Sequence, residues 1–262
     1  MSRFFESHRN YAPPIITKTI YWLKGKLLKS TLNGNPIDII KKNNLTSVQS
    51  GPFRGMAYGP YGADKFLLAR LFGSYEKEIH DSIEKIINVN PDLVVIAGGG
   101  EGYYAVGLAS RLPKSNVVSF EISKWGRYLT RRHAQKNGVS LEIKGFCSAR
   151  EMLLALDGSQ RPAIVCDIEG GEVDLMDPVL VPDLKKCHIL IELHPMYVRN
   201  IEEIIVGRFQ DTHKIDRMEL EIRDESDIPD SLSSKFSSQD ALRAMNEVRL
   251  RGAGLWLLLS PN

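Results

Sequence analysis

Short, mostly apolar runs alternate along the chain with longer segments in which apolar residues recur every three or four positions. The continuous apolar run at 93–97 predicts a strand that is buried on both faces, as in a parallel sheet. The segments between such runs, for example 103–112, have the spacing of helices that bury one side. Strands that alternate with helices predict right-handed βαβ units, and hence a parallel sheet covered by helices on both faces.

The predicted strands are 93–97, 117–120, 141–144, 163–166, 188–193, 217–222 and 255–259. The predicted helices are 63–72, 74–90 with Ser74 as its cap, 103–112, 123–136, 148–156, 173–176, 200–208 and 241–248. A polar loop at 224–239, and two glycines shortly before the last strand, predict that the closing pair forms an antiparallel edge. Residues 1–62 are rich in Gly and Pro turns and predict a partly helical extension, whereas 63–262 predict a Rossmann-like domain.

Composition narrows the class of protein. The chain has 262 residues, a net charge of +2 and three cysteines without a CxxC spacing, which argues against a disulfide framework or a structural zinc module. Residues 1–50 hold eight Lys/Arg against two acidic residues, which predicts a solvated basic extension, and no nucleic-acid partner is expected. No apolar run is long enough to span a bilayer and no signal peptide is recognisable, so a cytoplasmic protein is expected.

A glycine-rich loop follows the first predicted strand. Gly98, Gly100 and Gly102 stand between that strand and a helix, where backbone N–H groups and the helix N-terminus can hold a nucleotide-like cofactor. The loop fits both GxGxxA, the pattern of nicotinamide dinucleotide sites, and GxGxG, the pattern of S-adenosylmethionine sites. Glu121 ends the second strand, 19 residues after Gly102, and is placed to accept the ribose hydroxyls of either cofactor. These residues alone leave both cofactors open.

Carboxylates and one histidine follow the fourth and fifth strands. Asp167, Glu169 and Glu172 come directly after the fourth strand, and Glu192 and His194 close the fifth. Because adjacent parallel strands end at the same edge of a sheet, all of these except Glu172 are expected to converge on one cleft. Such a set suits removal of a proton from a hydroxyl, a hydrogen-bonded network that braces the strand ends, or a divalent-metal site.

Two segments resemble the signature of FkbM-type methyltransferases, D-x-E-G-x-E followed by E-x-H. They are 167–172, with the sequence DIEGGE, and 192–194, with the sequence ELH. The glycine loop, Glu121 and the segment 73–76 (GSYE) are similar to the same pattern. The resemblance covers 73–194 and implies a class I fold that uses S-adenosylmethionine. The activity it implies is O-methylation of a hydroxyl on a small molecule or glycan, with no metal expected.

The resemblance also implies roles for individual residues. It places Gly98, Gly100 and Gly102 at the methionine moiety, Glu121 at the ribose, Cys147 and Ser148 beside the adenine, and Asp167, Glu169, Glu192 and His194 towards the acceptor. The pattern usually carries an acidic residue two positions before the first glycine, and here that residue is Ile96. Glu101 or Asp167 would then bind the cofactor's amine. The replacement leaves open a non-catalytic cofactor-binding protein, beside a nicotinamide-dependent oxidoreductase.

Other ring side chains are interpreted structurally. His80 and His133 lie on polar helix faces and are expected to be solvated. Trp125 and Trp256 are expected to pack within the protein rather than to stack on a ligand.

Overall fold

Seven strands pair into one sheet of order β3-β2-β1-β4-β5-β7-β6 in a computed structural model that describes residues 36–59, 66–247 and 254–262. Strands β1 to β5 are mutually parallel, and β7 runs antiparallel to β5 on one side and β6 on the other. The strands are β1 Leu93–Ala97, β2 Asn116–Phe120, β3 Glu142–Lys144, β4 Pro162–Cys166, β5 His188–Leu193, β6 His213–Met218 and β7 Leu255–Pro261. The predicted Rossmann-like architecture, a mostly parallel seven-stranded sheet with an antiparallel closing pair, is confirmed.

Ten α-helices lie within the described residues. They are α1 Pro36–Asn43, α2 Leu67–Phe72, α3 His80–Val89, α4 Tyr103–Arg111, α5 Lys124–Asn137, α6 Ala149–Leu156, α7 Glu172–Leu175, α8 Ile201–Phe209, α9 Asp230–Ser233 and α10 Ser238–Met245. Among the described residues, no helix combines the length and the apolar character that crossing a bilayer requires.

The alternation of side chains along β1 divides the core in two. Val94 and Ile96 point into one buried cluster, and Val95 and Ala97 point into the other. Both faces of the strand are therefore apolar, which is why it reads as an uninterrupted hydrophobic run. The same arrangement leaves only the carboxyl ends of the strands for polar chemistry.

The described part of the N-terminal extension packs on the first of these clusters. Phe53 meets the ring of Tyr103 edge-on at 5.3 Å between centroids. The Asn137 side chain accepts from the backbone N–H of Ala57 and donates to its carbonyl, both at 2.8 Å. Residues 1–35 and 60–65 lie outside the described residues, so the predicted boundary at 62 stays a prediction.

The sixth strand differs from its prediction. It spans His213–Met218 rather than 217–222, because this edge strand is only partly buried and has no apolar run to mark it. His213 instead anchors the strand through Nε2, which lies 3.0 Å from the Cys187 carbonyl oxygen.

The predicted cap at Ser74 is also wrong. Gly73 and Glu76 both adopt left-handed backbone conformations, so the chain makes a 3₁₀ turn at Lys77–Ile79 before α3 begins at His80. In the predicted polar loop at 224–239, a short 3₁₀ turn and α9 form, and α10 begins at Ser238 behind a Ser237 cap.

Candidate active site

The glycine loop after β1 has a backbone that only glycine adopts readily. Gly98, Gly100 and Gly102 have φ angles of +88°, +51° and +90°. A Cβ on Gly98 would stand 1.7 Å from the Asp167 carbonyl oxygen, whereas a Cβ on Gly100 would meet nothing within 4 Å. The loop is thus pressed against the end of β4 at Gly98 and faces open space at Gly100.

The Glu121 carboxylate ties the glycine loop to the end of β2. It accepts from the backbone N–H of Gly100 at 2.7 Å and from that of Ser123 at 2.6 Å. Each carboxylate oxygen keeps lone-pair capacity for a further donor. Glu121 is therefore held, partly exposed, beside the open part of the loop, where its remaining lone pairs can accept from a ligand hydroxyl.

His133 holds the loop from behind, a role that the sequence interpretation missed. Its Nδ1 lies 2.8 Å from the Glu101 carbonyl oxygen, its Nε2 accepts from the Gly59 N–H at 3.3 Å, and its ring stacks on Tyr58. The residue is fully buried, so the prediction that it is solvated is wrong. Burial lowers its pKa and keeps the ring neutral. The signal was available, since His133 follows Leu129 by one helical turn on the buried side of α5.

Cys147 and Ser148, the residues predicted beside an adenine, both have structural roles after β3. The Ser148 hydroxyl caps α6 by accepting from the Glu151 N–H at 3.2 Å, and burial raises the pKa of the Cys147 thiol to about 12. Ile122 and Phe146, which follow the adjacent strands β2 and β3, are instead 75% and 57% exposed. Apolar surface of this extent at the mouth of the sheet suits a planar ligand.

The acidic residues and His194 converge at the ends of β4 and β5 as predicted. Nε2 of His194 lies 3.6 Å from Asp167 Oδ1, 3.6 Å from Glu169 Oε2 and 3.8 Å from Glu192 Oε2. His194 and Glu192 are buried, Asp167 is half-buried and Glu169 is exposed. The cluster is therefore open to solvent on its Glu169 side and closed on its Glu192 side.

Glu172 fixes the histidine of this cluster. One of its carboxylate oxygens lies 2.8 Å from His194 Nδ1 and accepts from the backbone N–H groups of Ile168 and Gly170. The carboxylate is completely buried. With Nδ1 engaged in this bond, Nε2 is the nitrogen that faces the cleft. The sequence interpretation counted Glu172 among the acidic residues but gave it no role.

Burial and neighbouring charges shift the protonation of the cluster. Burial, together with the charge of Glu76, raises the pKa of Asp167 to about 7. Burial lowers the pKa of His194, but the hydrogen bond and charge of Glu172 outweigh burial, so the net pKa is raised. A carboxyl and an imidazole whose pKa values are both raised, side by side in a cleft, suit general acid–base chemistry.

The spacing of three of these residues also suits a cation. Asp167, Glu192 and His194 each present one ligand atom, and these atoms all lie within 4.8 Å of one another. The donor set of two carboxylates and one imidazole is compatible with several divalent metals. Proton transfer and metal binding, two of the alternatives drawn from the sequence, would therefore use the same side chains, those of Asp167, Glu192 and His194.

No protein-family model matches the sequence, and a search of curated proteins finds no match. Several solved structures are similar in fold. An rRNA methylase from Streptococcus thermophilus is 12% identical, with 70% of this chain and 96% of that chain covered and a TM-score of 0.47. The O-methyltransferase TomG from Streptomyces achromogenes, in complex with SAM, is 14% identical over 72% and 88% of the two chains, with a TM-score of 0.43.

A third similar structure is precorrin-6y C5,15-methyltransferase from Geobacter metallireducens. It is 9% identical, with 70% of this chain and 88% of that chain covered and a TM-score of 0.46. Similarity at this level concerns the fold and carries no information about the substrate.

Proposed function

We propose that this protein is an S-adenosylmethionine-dependent methyltransferase of the FkbM type, which transfers a methyl group to a hydroxyl of a small molecule or glycan. One observation carries the proposal: an open glycine loop clamped to Glu121 lies beside a histidine whose Nε2 faces three carboxylates. The loop follows β1 and His194 follows β5, with β4 between them, so the proposed cofactor and the proton acceptor would lie at the same edge of the sheet, as methyl transfer to oxygen requires.

The residues present fit the cofactor. Glu121 has acceptor capacity for the ribose hydroxyls, and Ile122 and Phe146 offer apolar surface for the adenine. Asp167 is the candidate partner for the positive amine, because its Oδ1 is buried and has no hydrogen-bond partner among the described residues. When bound, S-adenosylmethionine supplies a methyl group activated by its sulfonium.

The chain's own residues would handle the acceptor. The hydroxyl proton passes to His194 Nε2, with Glu172 stabilising the resulting imidazolium through Nδ1. Glu192 and Asp167 surround the same nitrogen and favour its positive charge. Orientation of the acceptor oxygen against the methyl group contributes most of the acceleration, because the leaving group is already activated.

Calorimetric titration of the full chain with S-adenosylmethionine, S-adenosylhomocysteine, NAD and NADP tests the cofactor. We expect saturable binding of the first two only. The variant Glu121→Gln should bind about 10- to 100-fold more weakly, since it loses one or more charged hydrogen bonds. Glu142→Gln, which removes an exposed carboxylate on β3, is the matched control. Binding of a nicotinamide cofactor, or equal affinity of both variants, would overturn the assignment.

A panel of sugars, glycans and phenols, scored by formation of S-adenosylhomocysteine, tests the reaction. On an acceptor from this panel, His194→Ala should lower turnover about 100-fold while cofactor affinity is unchanged. Normal turnover in the variant removes His194 from the mechanism. Cofactor binding without turnover of any acceptor would instead favour the non-catalytic alternative raised by Ile96.

A further inference from the structure

Helix α5 carries an unusual concentration of positive charge. Five of its fourteen residues are cationic, and none is acidic: Lys124, Arg127, Arg131, Arg132 and Lys136. Four of these five, all except Arg127, are exposed. The candidate active site does not use any of these four, whereas Arg127 donates to the backbone carbonyls of Glu121 and Ile122.

Two aromatic rings are exposed on the same helix. Trp125 and Tyr128 are 56% and 44% exposed, and their rings stack at 5.1 Å between centroids with 22° between planes. Trp125 was predicted to pack within the protein, and its exposure shows that prediction to be wrong. Each ring therefore leaves about half of its surface open to solvent, next to the exposed cations of the same helix.

The rings and the cations share one helical face. Positions 125, 128, 132 and 136 recur every three or four residues, so their side chains form a stripe along α5 about 16 Å long. Within the stripe, Arg132 lies 3.5 Å from the Tyr128 hydroxyl. The pattern is therefore two stacked rings at the first turn of the helix, followed by guanidinium and ammonium groups.

We propose that this α5 face binds single-stranded nucleic acid, for which a short RNA is the probe. Alternation of aromatic rings with cations is what sequence-tolerant single-strand binding uses, because bases stack on the rings while phosphates meet Lys and Arg. The stripe is long enough for a few nucleotides. The first turn of α5 adjoins the site, since Ser123, which caps the helix, bonds to Glu121. An RNA strand on this face would lie beside the ribose end of the proposed cofactor pocket.

An anionic membrane surface also attracts basic helices, but the composition of this face argues against it. None of the exposed residues of α5 is aliphatic; they are Lys124, Trp125, Tyr128, Arg131, Arg132, Gln135 and Lys136. Insertion into a bilayer interface needs a broad apolar face. Two rings stacked on each other provide base-sized platforms instead.

The test is fluorescence anisotropy of a labelled, unstructured 12-nucleotide RNA with the full chain at several salt concentrations. The variant Arg131→Gln/Arg132→Gln/Lys136→Gln should bind at least tenfold more weakly. Its plot of log affinity against log salt should be shallower by about 2, because roughly 0.7 counterions are released per phosphate contact. Trp125→Ala should weaken binding without changing that slope, since stacking releases no counterions.

The matched control removes the same charge elsewhere. Lys185→Gln/Lys214→Gln/Lys235→Gln lowers the net charge equally at exposed positions outside α5. An equal loss of affinity in both triple variants would show that net charge alone attracts RNA, and would overturn the proposal. So would absence of RNA binding at low salt, or binding to phosphatidylserine vesicles in its place. The affinity of the same variants for S-adenosylmethionine should be unchanged. A failure of the nucleic-acid proposal can therefore be distinguished from a failure of the proposed function.

Discussion

Replacing Glu172 with Gln tests whether this buried carboxylate sets the protonation of His194. The Gln amide can keep a carbonyl acceptor opposite Nδ1, where the two groups now lie 2.8 Å apart, but it removes the negative charge. A hydrogen bond to a charged group contributes about 1.5–3 kcal/mol and a neutral one about 0.5–1.5 kcal/mol. The midpoints of these ranges differ by about 1.3 kcal/mol, which corresponds to about one pKa unit. We therefore expect the pKa of His194 to fall by about that amount in Glu172→Gln.

The assay does not need the unknown acceptor. Imidazole ¹⁵N–¹H correlation spectra of the folded protein, titrated with pH, resolve the six histidines, and His194→Ala assigns the relevant signal. Asp174→Asn is the matched control, since Asp174 is an exposed carboxylate on the same short helix. An unchanged His194 pKa in Glu172→Gln, or an equal fall in the control, would refute the idea that Glu172 acts through Nδ1.

Three further results are expected. Burial opposes ionisation of Asp92, but hydrogen bonds from Ser159 and two backbone N–H groups hold its pKa at about 2. Asp92→Asn should therefore lose about 2 kcal/mol of stability at pH 7, and the loss should disappear as pH falls through about 2, measured by urea unfolding. Because the pKa of Asp167 is about 7, affinity for S-adenosylmethionine should rise between pH 6 and 8, and calorimetry of Asp167→Asn should show a flatter dependence. Dialysis against EDTA should leave turnover unchanged; a loss that Mg²⁺ or Mn²⁺ restores would replace proton transfer to His194 with metal-assisted deprotonation.

Strands buried on both faces were predictable from sequence, and the edge strand was not. The bounds of β1 and β5 agree with the prediction to the residue, because β1 is a continuous apolar run and β5 is mostly apolar. Strand β6 is half-exposed, so its side chains alternate without a strong contrast and its register depends on pairing with β7. That pairing is a long-range contact which no local pattern reports.

The candidate site was likewise predictable only in part. Convergence of Asp167 and His194 followed from parallel strands ending together. The role of Glu172 did not, because it depends on a local reversal of the chain: Glu169 and Gly170 both have positive φ, and a Cβ on Gly170 would stand 2.9 Å from Tyr197. This turn carries Glu172 back beneath the strand end, where its carboxylate meets Nδ1.

The apolar residue at position 96 is consistent with cofactor binding, because the negative charge is supplied from elsewhere. Ile96 is 1% exposed and belongs to the buried cluster beneath α4. Two carboxylates lie near the loop instead, those of Asp167 and Glu76. Asp167 stands at the end of β4. Glu76 is buried, accepts from the Tyr104 hydroxyl and raises the pKa of Asp167.

An acid at position 96 would add a third negative charge to apolar surroundings. Ile96→Asp should therefore destabilise the fold by more than about 3 kcal/mol in urea unfolding, through lost packing and an unpaired buried charge, without tighter binding of S-adenosylmethionine. Ile96→Val, which keeps the apolar packing, should cost only about 1 kcal/mol and leave binding unchanged. Tighter binding in a stably folded Ile96→Asp would instead mean that the amine has no adequate partner in the natural sequence.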